Sequence, residues 1–245
     1  MGNVIVITSG KGGTGKTALT GGLGAALAGL GRKVLCIDGD VGLRNLDITL
    51  GMADAAIMDF SDVVTGGCAL STAATSHPTL SNLHLLTAPL SLPESFPGEE
   101  GFRTLLREAR DSYDDILIDS PAGLGAGFRL AVCDADRAIV VALHDPSSLR
   151  DAQRVVGELS SLETVHLVVN RVKRRMLRRM NTTIDDAMDS VGLPLLGLVP
   201  EDLSVLLATV QGKLVRDLTQ KGAARAYQNI ARRLIGEEVP LMRIW

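Results

Sequence analysis

A glycine-rich octapeptide close to the N-terminus carries the strongest chemical signal in the sequence. Residues 10–17, GKGGTGKT, match G-x-x-x-x-G-K-[ST], the pattern of a loop that holds nucleotide phosphates. Its glycines permit left-handed backbone angles, so consecutive N–H groups can converge on phosphate oxygens. Lys16 is expected to reach the outer phosphates, and the Thr17 hydroxyl is expected to ligate Mg²⁺. The loop therefore predicts a triphosphate–Mg²⁺ site.

The same octapeptide also satisfies a second pattern, G-x-G-x-x-G, which is typical of dinucleotide sites. Asp38 follows a predicted strand at about the distance where such a site places an acidic residue on the ribose. A dinucleotide site needs neither Lys16 nor Thr17, whereas a triphosphate–Mg²⁺ site needs both. We therefore favour the triphosphate.

Three aspartates supply the acidic groups that phosphoryl transfer requires. Asp38 and Asp40 follow one predicted strand, and Asp119 closes an apolar run that resembles a Walker B element. The carboxyl ends of parallel strands meet at the edge that also carries the phosphate loop. Asp38 and Asp119 are predicted to act with Thr17 around Mg²⁺, and Asp40 is predicted to position the attacking water.

Lys11 is a second lysine within the phosphate loop, at a position that the pattern leaves free. A second cation beside the phosphates can act as an arginine finger does. Supplied by a partner subunit, Lys11 would start hydrolysis only when two subunits pair.

Alternating strand and helix patterns must position these residues. The predicted strands are 3–8, 33–37, 83–87, 115–119, 137–142, 164–169 and 194–199. The predicted helices are 16–30, 99–110, 147–160, 181–191, 201–210 and 220–235. This order predicts an α/β sandwich of the P-loop NTPase type, with a mostly parallel sheet of about seven or eight strands and helices on both faces. Residues 91–98 contain two prolines and predict a surface loop, and residues 1–245 are expected to form a single domain.

The composition sets bounds on the compartment and the partners. The chain of 245 residues is 46% apolar but only 3% aromatic, which is typical of a core built from Val, Leu, Ile and Ala. A formal net charge of −3 gives no overall attraction to nucleic acid. Cys36, Cys68 and Cys133 are widely spaced, which favours a reducing compartment. We find no signal peptide and no apolar run of ~18 residues, so we expect a cytoplasmic protein.

The motifs together resemble the MinD family of septum-site-determining ATPases, a branch of the deviant Walker A (ParA–MinD) P-loop ATPases. Lys11 stands at the position of the signature lysine of that group. The segment 38–47, DGDVGLRNLD, is the most specific part of the likeness, because sister families share the lysine and diverge there. Segments 119–123, 147–151 and 200–202 also fit, and the likeness runs from residue 3 to about residue 240.

The resemblance implies a Mg-dependent ATP hydrolase that dimerises with its nucleotides sandwiched between two subunits and regulates the placement of the division site. The implied partners are a second copy of the chain, a MinC-like inhibitor, a MinE-like protein or a polar landmark, and the inner membrane, to which the protein would bind reversibly. Lys11 would cross to the partner's phosphates. Asp151 and the helix that it begins would lie on the face used by MinC and MinE.

The nucleotide-binding residues follow from the loop and the resemblance together. Asn170 would read the adenine edge, and Arg171 with segment 200–202 would line the base pocket. The full predicted set is Lys11, Gly12, Gly13, Thr14, Gly15, Lys16, Thr17, Ala18, Asn170, Arg171, Pro200, Glu201 and Asp202. The predicted catalytic residues are Lys11, Lys16 and Asp40, and the predicted metal-site residues are Thr17, Asp38 and Asp119.

Two features depart from the family pattern. Ala18 stands where the family often has a threonine, which removes one side-chain contact to phosphate. The last predicted helix closes near residue 235, and only five residues, 241–245 (LMRIW), follow the interruption at Pro240. Five residues are too few for a stable isolated amphipathic helix, so the sequence leaves the mode of membrane attachment open.

Two other functions stay open at this point. A ParA-like partition or flagellum-placement ATPase would share the loop and bind DNA, and the basic run 173–179 would suit either DNA or anionic lipid unless it is simply solvated. The negative net charge and residues 43–47 argue against nucleic acid. The other alternative is a nucleotide-gated binding module with negligible turnover.

Overall fold

One mixed sheet organises the computed structural model of the chain, which describes residues 1–173, 175, 179 and 183–242. Its strand order is β3-β4-β2-β5-β1-β6-β7-β8, and every neighbouring pair is parallel except β3 with β4. The strands are β1 Asn3–Thr8, β2 Val34–Asp38, β3 Thr75–Ser76, β4 Leu83–Leu86, β5 Asp115–Asp119, β6 Arg137–Ala142, β7 Thr164–Val172 and β8 Leu195–Pro200.

Helices cover both faces of this sheet. In the described residues they are α1 Lys16–Gly29, α2 Leu46–Thr49, α3 Phe60–Val64, α4 Leu70–Ala73, α5 Gly98–Ser112, α6 Ala126–Val132, α7 Pro146–Glu158, α8 Ile184–Val191, α9 Leu203–Val210, α10 Val215–Leu218 and α11 Gly222–Leu234. None of them is long and apolar enough to cross a bilayer. The predicted α/β fold class is confirmed, and the single-domain assignment of residues 1–245 stays a prediction.

Strand β1 shows why the central strands are apolar at every position. Val4 and Val6 face a core cluster that contains α5 and α7, whereas Ile5 and Ile7 face a second cluster that contains α1 and α11. A strand buried on both faces needs apolar residues on both, which produces a continuous run instead of alternation. The phosphate loop follows β1 directly, at the centre of the sheet.

Several predicted boundaries are wrong in detail. The seven predicted strands are present with ends shifted by up to three residues, and β3 was missed because two residues show no alternation. The five shortest helices, α2, α3, α4, α6 and α10, were missed because they are too short for a helical period to stand out. Helix α7 begins at Pro146 behind the N-cap Asp145, so Asp151 lies within the helix and does not begin it.

Three segments named in the sequence analysis fall partly outside the described residues. Of the basic run, Lys173, Arg175 and Arg179 are described and exposed, and its other members lie outside. The predicted helix 181–191 is described from Ile184 onwards. At the C-terminus α11 ends at Leu234, close to the predicted end, and residues 243–245 lie outside.

Candidate nucleotide site

The N-terminus of α1 is left open by the residues that precede it. Gly15, the N-cap residue, has φ 92° and provides no side-chain cap for the first turn of the helix. The N–H groups of that turn are therefore available as donors, and the helix dipole favours an anion in front of them. A Cβ at position 15 would lie 2.3 Å from Nδ2 of Asn170, so only glycine fits. The local backbone thus has the form of a phosphate site.

Lys16 lies almost buried at the base of the loop. Its Nζ donates to Oγ of Ser9 at 3.0 Å, and that hydroxyl donates to the carbonyl of Lys11 at 2.7 Å. Burial lowers the pKa of Lys16, while the charges of Asp119 and Asp40 act in the opposite direction. The Thr14 hydroxyl nearby is buried without a hydrogen-bond partner among the described residues. An ammonium and a hydroxyl that both lack a full set of partners fit phosphate oxygens.

Asp119 is the most strongly perturbed carboxyl group of the site. It is 3% exposed at the end of β5, and its Oδ1 accepts a hydrogen bond from Oγ1 of Thr20 at 3.3 Å. Burial raises the pKa of Asp119 to about 7, although the Thr17 and Thr20 hydroxyls and the Lys16 charge favour its ionised form. A divalent cation between Thr17 and Asp119 would compensate for the buried charge, so these residues fit Mg²⁺.

Asp38 lies beside Asp119 on the neighbouring strand, where the two residues are paired in register. Its Oδ1 accepts the backbone N–H of Asp40 at 2.9 Å, and its Oδ2 accepts that of Leu46 at 3.0 Å. Burial raises the pKa of Asp38, and these two hydrogen bonds act against the rise. Asp38 therefore holds both ends of the loop 40–46, a role that the sequence did not reveal. Its role at the metal stays a prediction.

Loop 40–46 brings Asp40 to the same edge of the sheet. Asp40 is half-buried, and its pKa is raised by burial against the opposing charge of Lys16. Arg44 in the same loop has φ 46°, and its Nε donates to Oγ1 of Thr87 at 3.2 Å. A left-handed arginine is uncommon and must be held by its surroundings. The loop is therefore fixed at Asp38 and at Arg44, and Asp40 lies between these two positions along the chain.

Lys11 does not share the position of Lys16. It is exposed, and its Nζ donates to Oγ of Ser147 at 3.1 Å. Ser147 donates in turn to Oδ1 of Asp145, the N-cap of α7, at 2.7 Å. Burial acts to raise the pKa of Asp145, but hydrogen bonds from Ser147 and Ser148 together with the Lys11 charge outweigh it and lower the pKa. Within one chain, Lys11 is thus directed to α7.

A cavity of about 690 Å³ adjoins the loop on the side of β7 and β8. The structure brings together here every predicted base-pocket residue and two residues of the loop set. The lining residues from that prediction are Gly15, Ala18, Asn170, Arg171, Pro200, Glu201 and Asp202. Sequence reasoning missed the other lining residues, which belong to no motif: Val199, Leu203, Val205, Leu206, Thr209 and Tyr227.

Two polar residues of this cavity bind other parts of the protein. Asn170 Nδ2 donates to the carbonyl of Thr14 at 2.7 Å, so this amide braces the phosphate loop from β7. Asp202 Oδ1 caps α9 at the N–H of Ser204, and its Oδ2 accepts the N–H of Ala223 at the start of α11. Asp202 is therefore an N-cap for one helix and holds the first turn of another.

Comparison with known proteins gives consistent matches over the whole chain. A family model described as the CobQ/CobB/MinD/ParA nucleotide binding domain matches residues 5–215. The septum site-determining protein MinD of Synechocystis is 40% identical over 246 residues, covering 99% of this chain and 92% of the relative. The MinC:MinD cell division complex of Aquifex aeolicus superposes with a TM-score of 0.90 at 39% identity, covering 98% of each chain. MinD of Pyrococcus horikoshii complexed with Mg-ADP gives a TM-score of 0.84 at 30% identity, covering 96% of this chain and 97% of the other.

Proposed function

The chain belongs to the CobQ/CobB/MinD/ParA nucleotide-binding family and, within it, to the septum site-determining MinD ATPases, and we propose that it is a Mg-dependent ATPase whose ATP-bound dimer controls where the division septum forms. The observation that carries the proposal is the buried pair of Lys16 and Asp119 in front of the uncapped N-terminus of α1. A cation, a carboxylate and free N–H donors at one point match a triphosphate with its metal.

The residues of the site have different roles in this proposal. The first-turn N–H groups and Lys16 hold the phosphates, and Thr17 with Asp119 holds Mg²⁺. When bound, Mg²⁺ neutralises charge that develops on the phosphate oxygens. Asp38 keeps the loop 40–46 in place. Asp40 then orients the attacking water, which is a positioning role and needs no strong base.

Dimerisation makes Lys11 the trigger. Among the described residues of the single chain, its ammonium makes one exposed hydrogen bond, to the neutral hydroxyl of Ser147, and water can replace such an exposed partner at little cost. Contact with the triphosphate of a second subunit would replace it with hydrogen bonds to anionic oxygens, which are stronger because both partners are charged. We therefore propose that ATP draws Lys11 from its own α7 to the partner's phosphates.

The family supplies the proposed partners and location. The Aquifex aeolicus structure is a complex of MinC with MinD, and we propose a MinC-like inhibitor as a partner of this chain at the face that includes α7 and Asp151. A MinE-like protein or a polar landmark is proposed to release or position the dimer. The protein is proposed to be cytoplasmic and to associate reversibly with the inner membrane.

Phosphate release measured across a dilution series of the protein tests this function. The rate per subunit should rise with protein concentration, because two subunits form each active site. Lys11→Ala should bind ATP yet remain monomeric in light scattering, and Asp40→Ala should dimerise with ATP but hydrolyse it slowly. A rate per subunit that is independent of dilution would refute activation by dimerisation, and no release under any condition would favour a binding module instead.

A second measurement separates the proposal from the partition alternative. Capture of a MinC-like protein by the ATP-bound chain supports the septum function. Retention on duplex DNA that weakens with added salt would support the partition function instead.

A further inference from the structure

Helix α9 has an exposed apolar face that extends beyond the nucleotide cavity. Leu203, Leu206, Leu207 and Val210 stand at i, i+3, i+4 and i+7, so they form one stripe along the helix. Their exposed fractions are 67%, 60%, 44% and 76%. Ala208, on another side of the helix, is buried against the protein. A surface helix is expected to be polar on its outer face, so an apolar outer face indicates that something covers it.

This stripe lies on a firmly held element. Asp202 caps the first turn of α9 and joins it to α11 through the N–H of Ala223. At the other end, the N–H of Lys213 donates to the carbonyl of Ala208 at 3.0 Å. Two ends fixed by hydrogen bonds keep the stripe facing outwards, so its exposure belongs to the fold.

Basic side chains lie near the two ends of α9. Lys213, three residues after the end of the helix, is exposed, and Arg171 is exposed on the cavity that Leu203 and Leu206 also line. Lys173 is exposed too, but its charge is paired with that of Glu201 at 2.7 Å, two residues before α9 begins. The chain as a whole carries a net charge of −3, so the exposed cations beside the apolar stripe are a local feature. Leucines flanked by lysine and arginine are the pattern of a surface that enters the headgroup region of anionic lipid.

We propose that the outer face of α9, together with Arg171, Lys173 and Lys213, is a contact surface for an anionic lipid bilayer. The inference deepens the membrane association in the proposed function and rests on it, because it names the surface that makes the contact. Duplex DNA would attract the cations but offers no apolar phase to the four aliphatic side chains. A bilayer interface satisfies both parts of the surface.

Half of the stripe is shared with the base site. Leu203 and Leu206 line that cavity, whereas Leu207 and Val210 do not. Leu207 and Val210 are therefore the residues to change, since their loss leaves the nucleotide site complete.

Vesicle flotation with the full chain, ATP and Mg²⁺ tests the surface. The vesicles contain either phosphatidylcholine alone or phosphatidylcholine with phosphatidylglycerol. The double variant Leu207→Gln, Val210→Gln should bind the anionic vesicles roughly tenfold or more weakly, because two aliphatic side chains no longer enter the interface. Lys213→Glu should weaken binding at least about fivefold, an effect that fades with salt. Nucleotide affinity, measured in parallel, should stay unchanged in both.

Two controls separate this surface from other causes. Ile57→Gln removes an equally apolar side chain that is 94% exposed elsewhere, and it should leave vesicle binding unchanged. Replacing Ile244 and Trp245 by Gln tests the C-terminal tail. This tail variant should retain substantial vesicle binding, whereas the α9 double variant should lose it.

The outcomes distinguish the surface from the function on which it rests. If the double variant floats like the wild type, or if only the tail variant loses binding, the α9 surface is refuted while membrane association stands. If the wild type binds no anionic vesicle, both the surface and the membrane association are refuted, and retention on duplex DNA would then support the partition function. Concentration-dependent phosphate release, measured separately, shows whether the ATPase proposal survives that result.

Discussion

Two parts of the candidate nucleotide site differ in how they use their polar groups. On the phosphate side, around loop 10–17, Lys16 and Asp119 are buried and can still bind a ligand. On the predicted base side, around the cavity next to β7 and β8, Asn170 and Asp202 use their polar atoms for hydrogen bonds within the protein. Among the described residues, Lys16 has a single hydroxyl partner for its three N–H donors, and burial raises the pKa of Asp119 to about 7. Asn170 instead braces the carbonyl of Thr14, and Asp202 holds the first turns of two helices. The polar groups on the phosphate side are therefore available to a ligand, whereas those on the base side stabilise the fold.

The difference assigns two kinds of defect to two kinds of substitution. A change on the phosphate side should damage ligand binding and leave the fold intact, or even improve it, because the buried charges are a burden without a ligand. On the base side, a change at Asp202 should damage the fold first, since it removes hydrogen bonds that the unliganded protein already makes. Measuring affinity and stability together is therefore the way to test the comparison.

Lys16→Ala should give the largest effect. We expect the affinity for ATP to fall roughly 100-fold or more, because the charge-assisted hydrogen bonds to the outer phosphates are lost. Calorimetric titration with ATP and Mg²⁺ measures this loss. Lys11→Ala is the matched control within the same loop, and at concentrations where the protein is monomeric its affinity should stay within about threefold of the wild type. Equal losses in the two variants would remove the distinction between the two lysines.

Asp202→Ala should affect stability more than any other change on the base side. Removing hydrogen bonds at two helix N-termini should lower the free energy of unfolding by about 2 kcal/mol, near 1 kcal/mol for each terminus. Glu201→Ala is the neighbouring control. Its partner Lys173 is 47% exposed and Glu201 itself 49% exposed, and such surface pairs contribute about 0–1 kcal/mol. Urea unfolding of both variants measures this difference. Equal midpoint urea concentrations for the two variants would refute the capping role of Asp202.

The same comparison explains which parts of the molecule the sequence predicts. The phosphate loop is predictable because its residues are consecutive in the sequence. Glycines at fixed positions set its backbone angles, and the preceding β-branched strand and the following helix set its orientation. Asp119 is predictable as well, since it ends an apolar strand at the edge where ligands bind. The alternation of strands and helices carries the fold class for the same reason: each element has its own period.

Side-chain contacts between distant segments leave no such pattern. Asn170 and Thr14 are 156 positions apart, and Lys11 and Ser147 are 136 apart. Hydrogen bonds of this kind depend on the assembled sheet, so the family likeness placed Asn170 at the base without revealing the brace on Thr14. The two hydrogen bonds that Asp38 accepts could not be predicted either. Aspartate is common in turns, so its presence after a strand does not show that its side chain holds a longer loop in place.

Asp119→Asn should stabilise the nucleotide-free protein, which sharpens the view of the phosphate side. Burial raises the pKa of Asp119 to about 7, whereas an unfolded aspartate titrates near about 3.9. The folded state binds more protons between these values, so the wild type loses stability as the pH rises through this window and regains it as the pH falls. The gain in the variant should be on the order of 1–2 kcal/mol at about pH 8 and should shrink towards about pH 5.

Thermal unfolding in buffer without Mg²⁺ measures this gain. Asp111→Asn, on the exposed end of α5, is the matched control, because it makes the same substitution at an exposed position. A variant that is less stable than the wild type at about pH 8 would mean that Lys16 and the threonine hydroxyls already compensate for the Asp119 charge.

Asn170→Ala should give the smallest effect and the most direct test of the boundary between the two sides. Its loss removes one buried hydrogen bond to the Thr14 carbonyl, so nucleotide affinity should fall by about three- to tenfold, equivalent to roughly 1 kcal/mol. Inorganic triphosphate has no base, and comparing it with ATP separates the two roles of the amide. If Asn170 acts by bracing the loop, both ligands lose affinity equally. If it reads the adenine edge, only ATP loses affinity, and the base side then recognises the nucleotide as well as stabilising the fold.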